Sequence, residues 1–347
     1  MMRVLHLIPT LGAGGAERQL YLLCRETRAH VEHIVAAVWR LGRWAKPLME
    51  AGVPVHCLES GLRDPRLYFR LRGEVARTGP DLIHCWLPSM NVAGALVAGS
   101  TPVVASVRNV DDWKPWLYRM ADRLLAPFWS AAIANSQAGA LQFARSTGME
   151  PDWVRFVPNG IEPRPFQPKP AGAERVILTA CRLVPQKRVD RVLAAARELP
   201  GFRFRIAGAG PEEKRLRAAA PDNVEFLGEL PDVSREFDAA GFFMLASERE
   251  GTSNALLEAM QAGCVPVVTA AGDNPRIVQD GVSGRVVADA GRLAGAVQEC
   301  VSDWDRFSEA ARTCAARYTV PAMAEQTLTV YRSLARATGT NPLPRLH

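Results

Sequence analysis

The chain has 347 residues, 48% of them hydrophobic and 22% charged, which excludes a disordered chain and a small disulfide scaffold and is about right for two α/β domains. Its seven cysteines, Cys24, Cys57, Cys85, Cys181, Cys264, Cys300 and Cys314, are odd in number, scattered and never spaced as Cys-x-x-Cys, so neither a disulfide framework nor a zinc cluster is suggested and a reducing cytoplasm fits. The net charge of +6 is concentrated in the first half, with 19 Lys+Arg against 14 Asp+Glu up to residue 165 and 23 against 22 beyond it; no recognised nucleic-acid motif accompanies it, which argues against a nucleic-acid partner.

The chain opens on an apolar run ended by Pro9, too short for a signal peptide or a spanning helix and better read as a buried first strand. Val- and Ile-rich runs then alternate with amphipathic stretches, the pattern of βα units around parallel sheets. In the first half the predicted strands are 4–8, 34–38, 53–57, 82–84, 103–105, 131–134 and 154–157. Gly12, Gly14 and Gly15 follow the first of them and open a helix, so this loop is placed to approach a donor phosphate or an acceptor. A dinucleotide fingerprint would need an acid at the end of the second strand. That strand ends at Val38, Trp39 and Arg40, and the glycine spacing is imperfect, so nicotinamide chemistry is the weaker reading.

Two later segments of this half interleave cations with aromatics. Arg63, Arg66, Arg70, Arg72 and Arg77 surround Tyr68 and Phe69, while Lys114, Arg119 and Arg123 sit among Trp113, Trp116, Tyr118, Phe128 and Trp129. At helical spacing this mixture suits the headgroup layer of an anionic membrane, which becomes an expected partner of the N-terminal domain. The plainer alternative is solvated arginines beside core aromatics.

A proline-rich stretch from Pro158 through Pro163, Pro165, Pro168 and Pro170 is the natural linker. Strands resume at 176–179, 204–207, 224–227, 242–245, 265–268 and 285–287, and a last helix is predicted from about Val320 to Ala337, with a frayed tail over 338–347. The domains so predicted are 1–165, 166–318 and a closing segment, 319–347, that crosses back to brace the first.

Three loops of the second half carry chemistry. Arg182 and Lys187 follow the strand 176–179, and two cations at a strand end of a doubly wound sheet can both reach a diphosphate, Arg182 by its fork and Lys187 as a point charge. An exposed basic loop is the alternative. Gly208-Ala209-Gly210-Pro211 is a glycine turn after a strand, a weak signal alone, which with Phe226, Leu227 and Gly228 could line a base pocket. The segment from Glu250 to Met260 is the most informative. Gly251 permits a tight turn, Ser253 or Asn254 caps a helix, and the backbone N–H groups of Thr252, Ser253 and Asn254 face whatever anion sits there. Glu258 lies inside the apolar run 255–260 and needs partners, which ribose hydroxyls would supply; Glu250 could do the same for a hexose.

With Gly14-Gly15-Ala16-Glu17, Asp81-Leu82-Ile83-His84, Asn135-Ser136, Val157-Pro158-Asn159-Gly160, Arg182 with Lys187, Gly208-Ala209-Gly210-Pro211 and the pair Glu250 and Glu258 in the family's order, the chain resembles the retaining GT-B glycosyltransferases of family 4 over nearly all its length. The resemblance implies an α/β fold of GT-B architecture, two Rossmann-like domains with parallel sheets facing a central cleft, the first holding the acceptor and the second the nucleotide sugar. It implies transfer from a nucleotide sugar, a UDP-sugar by preference, to a glycan or lipid-linked saccharide in envelope or exopolysaccharide assembly. The setting would be the cytoplasm or the inner face of its membrane, with no metal and no cofactor beyond the substrate nucleotide. A small-molecule acceptor is the alternative. Carried over by position, Arg182 and Lys187 neutralise the diphosphate, Glu258 holds the ribose, Glu250 meets the sugar, and the N–H groups of 252–254 bind the distal phosphate. Relatives often carry a histidine after the strand 103–105, whereas this chain has Ser106-Val107-Arg108-Asn109. Arg108, no base with a pKa above about 12, would bind the leaving phosphate or an anionic acceptor, and His84 is a further candidate in the cleft, with a structural histidine at a strand end as the alternative. The family's Gly-Gly-Asn-Pro-Glu pattern is changed to Gly272-Asp273-Asn274-Pro275-Arg276, a cation in place of an acid.

Overall fold

The computed structural model describes residues 1–61, 64–110 and 115–337, so Arg63, Trp113, Lys114 and the tail 338–347 lie outside the described residues. All thirteen predicted strands form. The chain divides into two compact units, one of Met1–Gly160 with Val320–His347 and one of Ile161–Thr319. At the division, Ile161 N–H donates to Tyr318 O at 2.9 Å and Ile161 bridges to Thr319, so the second unit ties its own start to its end.

The first unit runs β1 (Met2–Thr10), α1 (Gly15–Thr27), β2 (Val31–Arg40), α2 (Ala45–Glu50), β3 (Val55–Cys57), α3 (Arg66–Thr78), β4 (Leu82–Cys85), α4 (Pro88–Val97), β5 (Val103–Val107), α5 (Trp116–Leu125), β6 (Ala131–Ala134), α6 (Gln137–Thr147) and β7 (Val154–Phe156). Every strand pair is parallel, in the order β3-β2-β1-β4-β5-β6-β7. Helices cover both faces of a parallel sheet, so its strands are apolar almost without alternation. Leu20 and Leu23 of α1 and Leu48 of α2 fill one side, and Leu71 of α3, Met90 of α4 and Phe143 of α6 the other.

The second unit runs β8 (Val176–Ala180), α7 (Val189–Glu198), β9 (Arg203–Ala207), α8 (Glu213–Ala218), β10 (Val224–Gly228), α9 (Ser234–Ala239), β11 (Phe242–Leu245), α10 (Asn254–Gln261), β12 (Val265–Thr269), α11 (Asn274–Ile277), β13 (Arg285–Val287), α12 (Leu293–Val301) and α13 (Trp304–Ala315). Its parallel sheet has the order β10-β9-β8-β11-β12-β13. The order reverses between β8 and β11. In such sheets ligands bind outside the carboxyl ends of the strands at that reversal, which singles out the loops following β8 and β11.

The last helix, α14 (Val320–Ala337), packs on α1 and sends Val320, Met323, Leu328, Tyr331 and Leu334 into the core of the first unit. A 3.6-residue apolar stripe buried against a neighbour stabilises such a helix more than propensity does.

Candidate active site

The loops after β8 and β9 are laced by backbone hydrogen bonds: Leu183 N–H donates to Ala209 O at 2.9 Å and Glu212 N–H to Leu183 O at 3.0 Å. Gly208 sits at φ +136°, and a Cβ there would strike the carbonyl oxygen of Cys181. The glycine turn therefore lets Cys181 and the following Arg182 lie directly against a second loop. Arg182 itself is exposed, and Leu227 on β10 is partly buried against the core.

Lys187 and Glu250, from the two loops that flank the sheet reversal, form an ion pair. Lys187 Nζ donates to Glu250 Oε1 at 2.6 Å, and Ser247 Oγ donates to the same oxygen at 2.6 Å. Glu250 is only 5% exposed, so its carboxylate depends on these partners. The backbones are joined as well: Glu248 N–H donates to Gln186 O at 3.0 Å, and the Gln186 side-chain amide donates to Arg249 O at 2.8 Å. Sequence reasoning gave Lys187 to a diphosphate and Glu250 to a hexose. Here the two side chains meet each other, with one of the three ammonium N–H bonds engaged.

Immediately beyond, the Ser253 hydroxyl caps α10 by accepting from Leu256 N–H at 3.3 Å. Gly251 and Thr252 are buried, Asn254 opens the helix, and Glu258 is half-buried just over one turn further along. The first turn of a helix leaves N–H groups without intrahelical acceptors and carries the positive end of its dipole. Gly272, at φ +54°, presses against Glu250 from the loop after β12; a Cβ there would collide with the Glu250 carbonyl. That contact brings in buried Asp273 and Asn274, which sequence reasoning met only as an altered pattern. Asn274 Nδ2 donates to Thr269 O at 3.0 Å, while its buried Oδ1 accepts no hydrogen bond from the described residues. Ser247, also missed, left no signal, since its role lies in a hydrogen bond across the loop. Arg276 is exposed.

The chain has one Asp-x-Asp spacing, Asp303-Trp304-Asp305. It starts α13, where Asp303 pairs with Arg306 at 3.5 Å and the Trp304 indole N–H donates to Gly241 O at 3.0 Å. These are the acids of a helix start, stabilised by the dipole.

The remaining candidates belong to the first unit. Gly14 is the cap residue of α1 and Gly15 its first residue. His84 is 1% exposed with both ring nitrogens engaged, Nδ1 with the Tyr331 hydroxyl at 2.6 Å and Nε2 with Ser106 Oγ at 2.9 Å. These contacts join β4 to α14 and fit the alternative of a structural histidine at a strand end. The Arg108 guanidinium stacks on Trp86, 4.2 Å from the ring centroid. Burial lowers its pKa to about 10, which leaves it cationic at neutral pH, and its buried Nε has no hydrogen-bond partner among the described residues.

Trp86 also begins a proton-ordered chain. An indole N–H only donates, so at 3.1 Å it fixes His6 Nδ1 as acceptor; His6 Nε2–H then donates to His33 Nδ1 at 2.9 Å. His33 Nε2–H meets Thr27 Oγ1 at 2.7 Å, whose own proton goes to Leu23 O at 2.7 Å. Buried Cys24 lies close by, and one ligand atom each from His6, Cys24 and His33 fall within 4.8 Å. A metal on His6 Nε2 would need the ring proton on Nδ1, facing the indole N–H. The cluster is accordingly a hydrogen-bonded polar core. Burial drives the His6 and His84 pKa values well below the usual 6.5 and that of His33 to about 4.

Comparison with known proteins places this geometry. The model of Glycosyltransferase Family 4 matches residues 13–164 and that of Glycosyl transferases group 1 matches residues 174–303. An exopolysaccharide phosphotransferase of Streptomyces coelicolor is 32% identical over 193 residues, 52% of this chain and 20% of that protein. The sulfoquinovosyl transferase of Arabidopsis thaliana is 27% identical over 272 residues, 67% and 51% of the two chains. A D-inositol 3-phosphate glycosyltransferase of Mycobacterium tuberculosis is 28% identical over 258 residues, 66% and 52%. The chain thus spans about half the length of these relatives or less. Among solved structures, HepE of Anabaena in complex with UDP and glucose superposes with a TM-score of 0.83 at 20% identity, covering 96% of this chain and 100% of that one. Sucrose-phosphate synthase of Thermosynechococcus elongatus superposes with 0.81 at 17% identity, covering 97% and 100%. The fold is the α/β GT-B fold of paired Rossmann-like domains, and with two family models matching 13–164 and 174–303 in turn, the chain belongs to the family 4, group 1 glycosyltransferases.

Proposed function

We propose that the protein transfers a sugar, with retention at the anomeric carbon, from a UDP-sugar to a hydroxyl of a glycan or lipid-linked saccharide in envelope or exopolysaccharide assembly at the inner face of the cytoplasmic membrane. The observation that carries this reading is the meeting of Lys187, Glu250 and the capped start of α10 at the carboxyl ends of β8 and β11. As the donor C1–O bond loosens, negative charge builds on the leaving diphosphate. Lys187, Arg182 and the N–H groups at the start of α10 receive that charge, so positive groups of the chain itself do the work of a metal clamp; one such preorganised donor is typically worth roughly 2.7–4 kcal/mol. Glu258, half-buried just over one turn into α10, binds the ribose hydroxyls, and Glu250, held in place by Lys187 and Ser247, meets the transferred sugar. The acceptor hydroxyl attacks from the face the diphosphate leaves and gives its proton to the departing phosphate oxygen, so no separate base is required.

The relative named a D-inositol 3-phosphate glycosyltransferase supports a second reading, in which the acceptor is a small molecule. One assay addresses both: a panel of UDP-sugars is offered with glycan, lipid-linked and small polyol acceptors, and the product anomer is read by NMR. Lys187→Ala and Glu258→Gln are each expected to lower turnover at least tenfold with the fold intact. An inverted product, or near-normal rates in both variants, would overturn the assignment.

A further inference from the structure

Helix α4 packs against both α3 and α5 over one side of the first unit. Of the aromatics grouped with these cations Trp129 is a core residue, as the plainer reading has it, but the outward side of this layer is apolar. Trp116 (66% exposed), Leu117, Tyr118 and Leu124 (68%) on α5, Phe128 just after it and Phe69 (72%) on α3 all face solvent. Of the ten residues of α5 only Asp122 is buried, an inversion of ordinary amphipathic packing.

The charges are arranged with equal bias. The acid of α3, Glu74, and the acid of α5, Asp122, are both buried, and α4 carries no charged residue. Glu74 is further held by Arg77 at 2.7 Å and by His56. Asp64, just ahead of α3, accepts from Ser60 and from the Arg66 backbone N–H. Every exposed charge on the three helices is therefore an arginine: Arg66, Arg70, Arg72, Arg119 and Arg123, besides the ion-paired Arg77; of these Arg70 also donates to Leu58 O and Glu59 O, and Arg72 to the Tyr68 hydroxyl.

We propose that the face formed by α3, α4 and α5 docks on an anionic lipid bilayer, with Trp116, Leu117 and Leu124 entering the headgroup layer while the arginines engage lipid phosphates. Large apolar and aromatic groups interleaved with guanidinium groups match the two properties of that surface at once, an apolar interior reached within a few ångströms and a sheet of negative charge. The inference stands on this surface alone and holds whether or not sugar transfer is the activity.

The full chain is to be sedimented with phosphatidylcholine vesicles with and without phosphatidylglycerol. Binding is expected only with phosphatidylglycerol and should weaken as salt rises. Arg119→Gln with Arg123→Gln should reduce the partition coefficient about fivefold per arginine, and Trp116→Ala with Leu124→Ala by about tenfold or more. Thermal unfolding of each variant, read on the same samples, separates lost docking from lost folding. Equal binding to phosphatidylcholine alone, or full binding by well-folded variants of both kinds, would overturn the proposal. So would a wild-type chain that stays in the supernatant but self-associates through this face, which would make the patch a contact between copies.

Discussion

Two glycines of the second unit separate a strained position from a merely permissive one. Gly272 combines φ +54° with a neighbour, the Glu250 carbonyl, that leaves no room for a methyl group; Gly281, at φ +73°, has open space around it. Gly281→Ala should cost only the left-handed backbone term, about 1 kcal/mol. Gly272→Ala adds a clash with backbone that cannot rotate away, so a loss of at least about 2–3 kcal/mol is expected. Because Glu250 is the struck residue, the second variant should also weaken UDP-sugar turnover beyond its stability cost, and denaturant titration with turnover on both proteins checks this. Equal costs would mean that the loop after β12 does not brace the Glu250 backbone.

Elements were far more legible in the sequence than the contacts among them. Most strands are buried on both faces and announce themselves as short apolar runs, and the stripe of Val320, Met323, Leu328 and Tyr331 marks α14 as amphipathic. The loop 250–258 was legible because capping chemistry is local. Pairings across long stretches of chain were not: Lys187 meets Glu250 because β8 and β11 are neighbours, a fact of topology rather than of spacing. The polar core of β1, β2, β4 and α14 was hidden for the same reason, as His6, His33, His84 and Tyr331 come from four separate elements and meet only in the fold. That core has a consequence for pH. Its imidazoles have pKa values depressed in the folded state and near 6.5 when unfolded, so the unfolded chain binds more protons below about pH 6.5. Stability should be level above that pH and fall as pH drops toward about 4, the value for His33. Three excluded protons amount to about 3 kcal/mol between pH 6.5 and 5.5, before ordinary carboxylates titrate. Denaturant midpoints flat across that window would mean the rings are hydrated or already protonated in the native state.

At the scale of the whole molecule, the two units differ in how the chain builds them. The second is one continuous segment, Ile161–Thr319, with apolar clusters on both sides of its own sheet. The first needs residues from both ends of the chain, since α14 supplies part of its core. A segment of about 160 residues buries enough of its surface to fold alone, so residues 161–319 expressed separately should unfold in one cooperative transition. Removing residues 320–347 from the full chain should cost the first unit its transition and leave the second's in place. The same fragment decides where the donor binds. Arg182, Lys187, Glu250, the start of α10 and Glu258 all lie within it, whereas Gly14 and Gly15 do not. If the diphosphate is held by the first set, calorimetric titration of the folded fragment with UDP should give an affinity within a few-fold of the full chain, with no sugar transfer. If the glycine loop at the start of α1 contributes a phosphate contact, the fragment should bind more weakly by the worth of a charge-assisted hydrogen bond, about 1.5–3 kcal/mol or roughly ten- to a hundredfold. A well-folded fragment that fails to bind UDP at all would remove the donor site from the carboxyl ends of β8 and β11, and with it the roles given to Lys187 and Glu258.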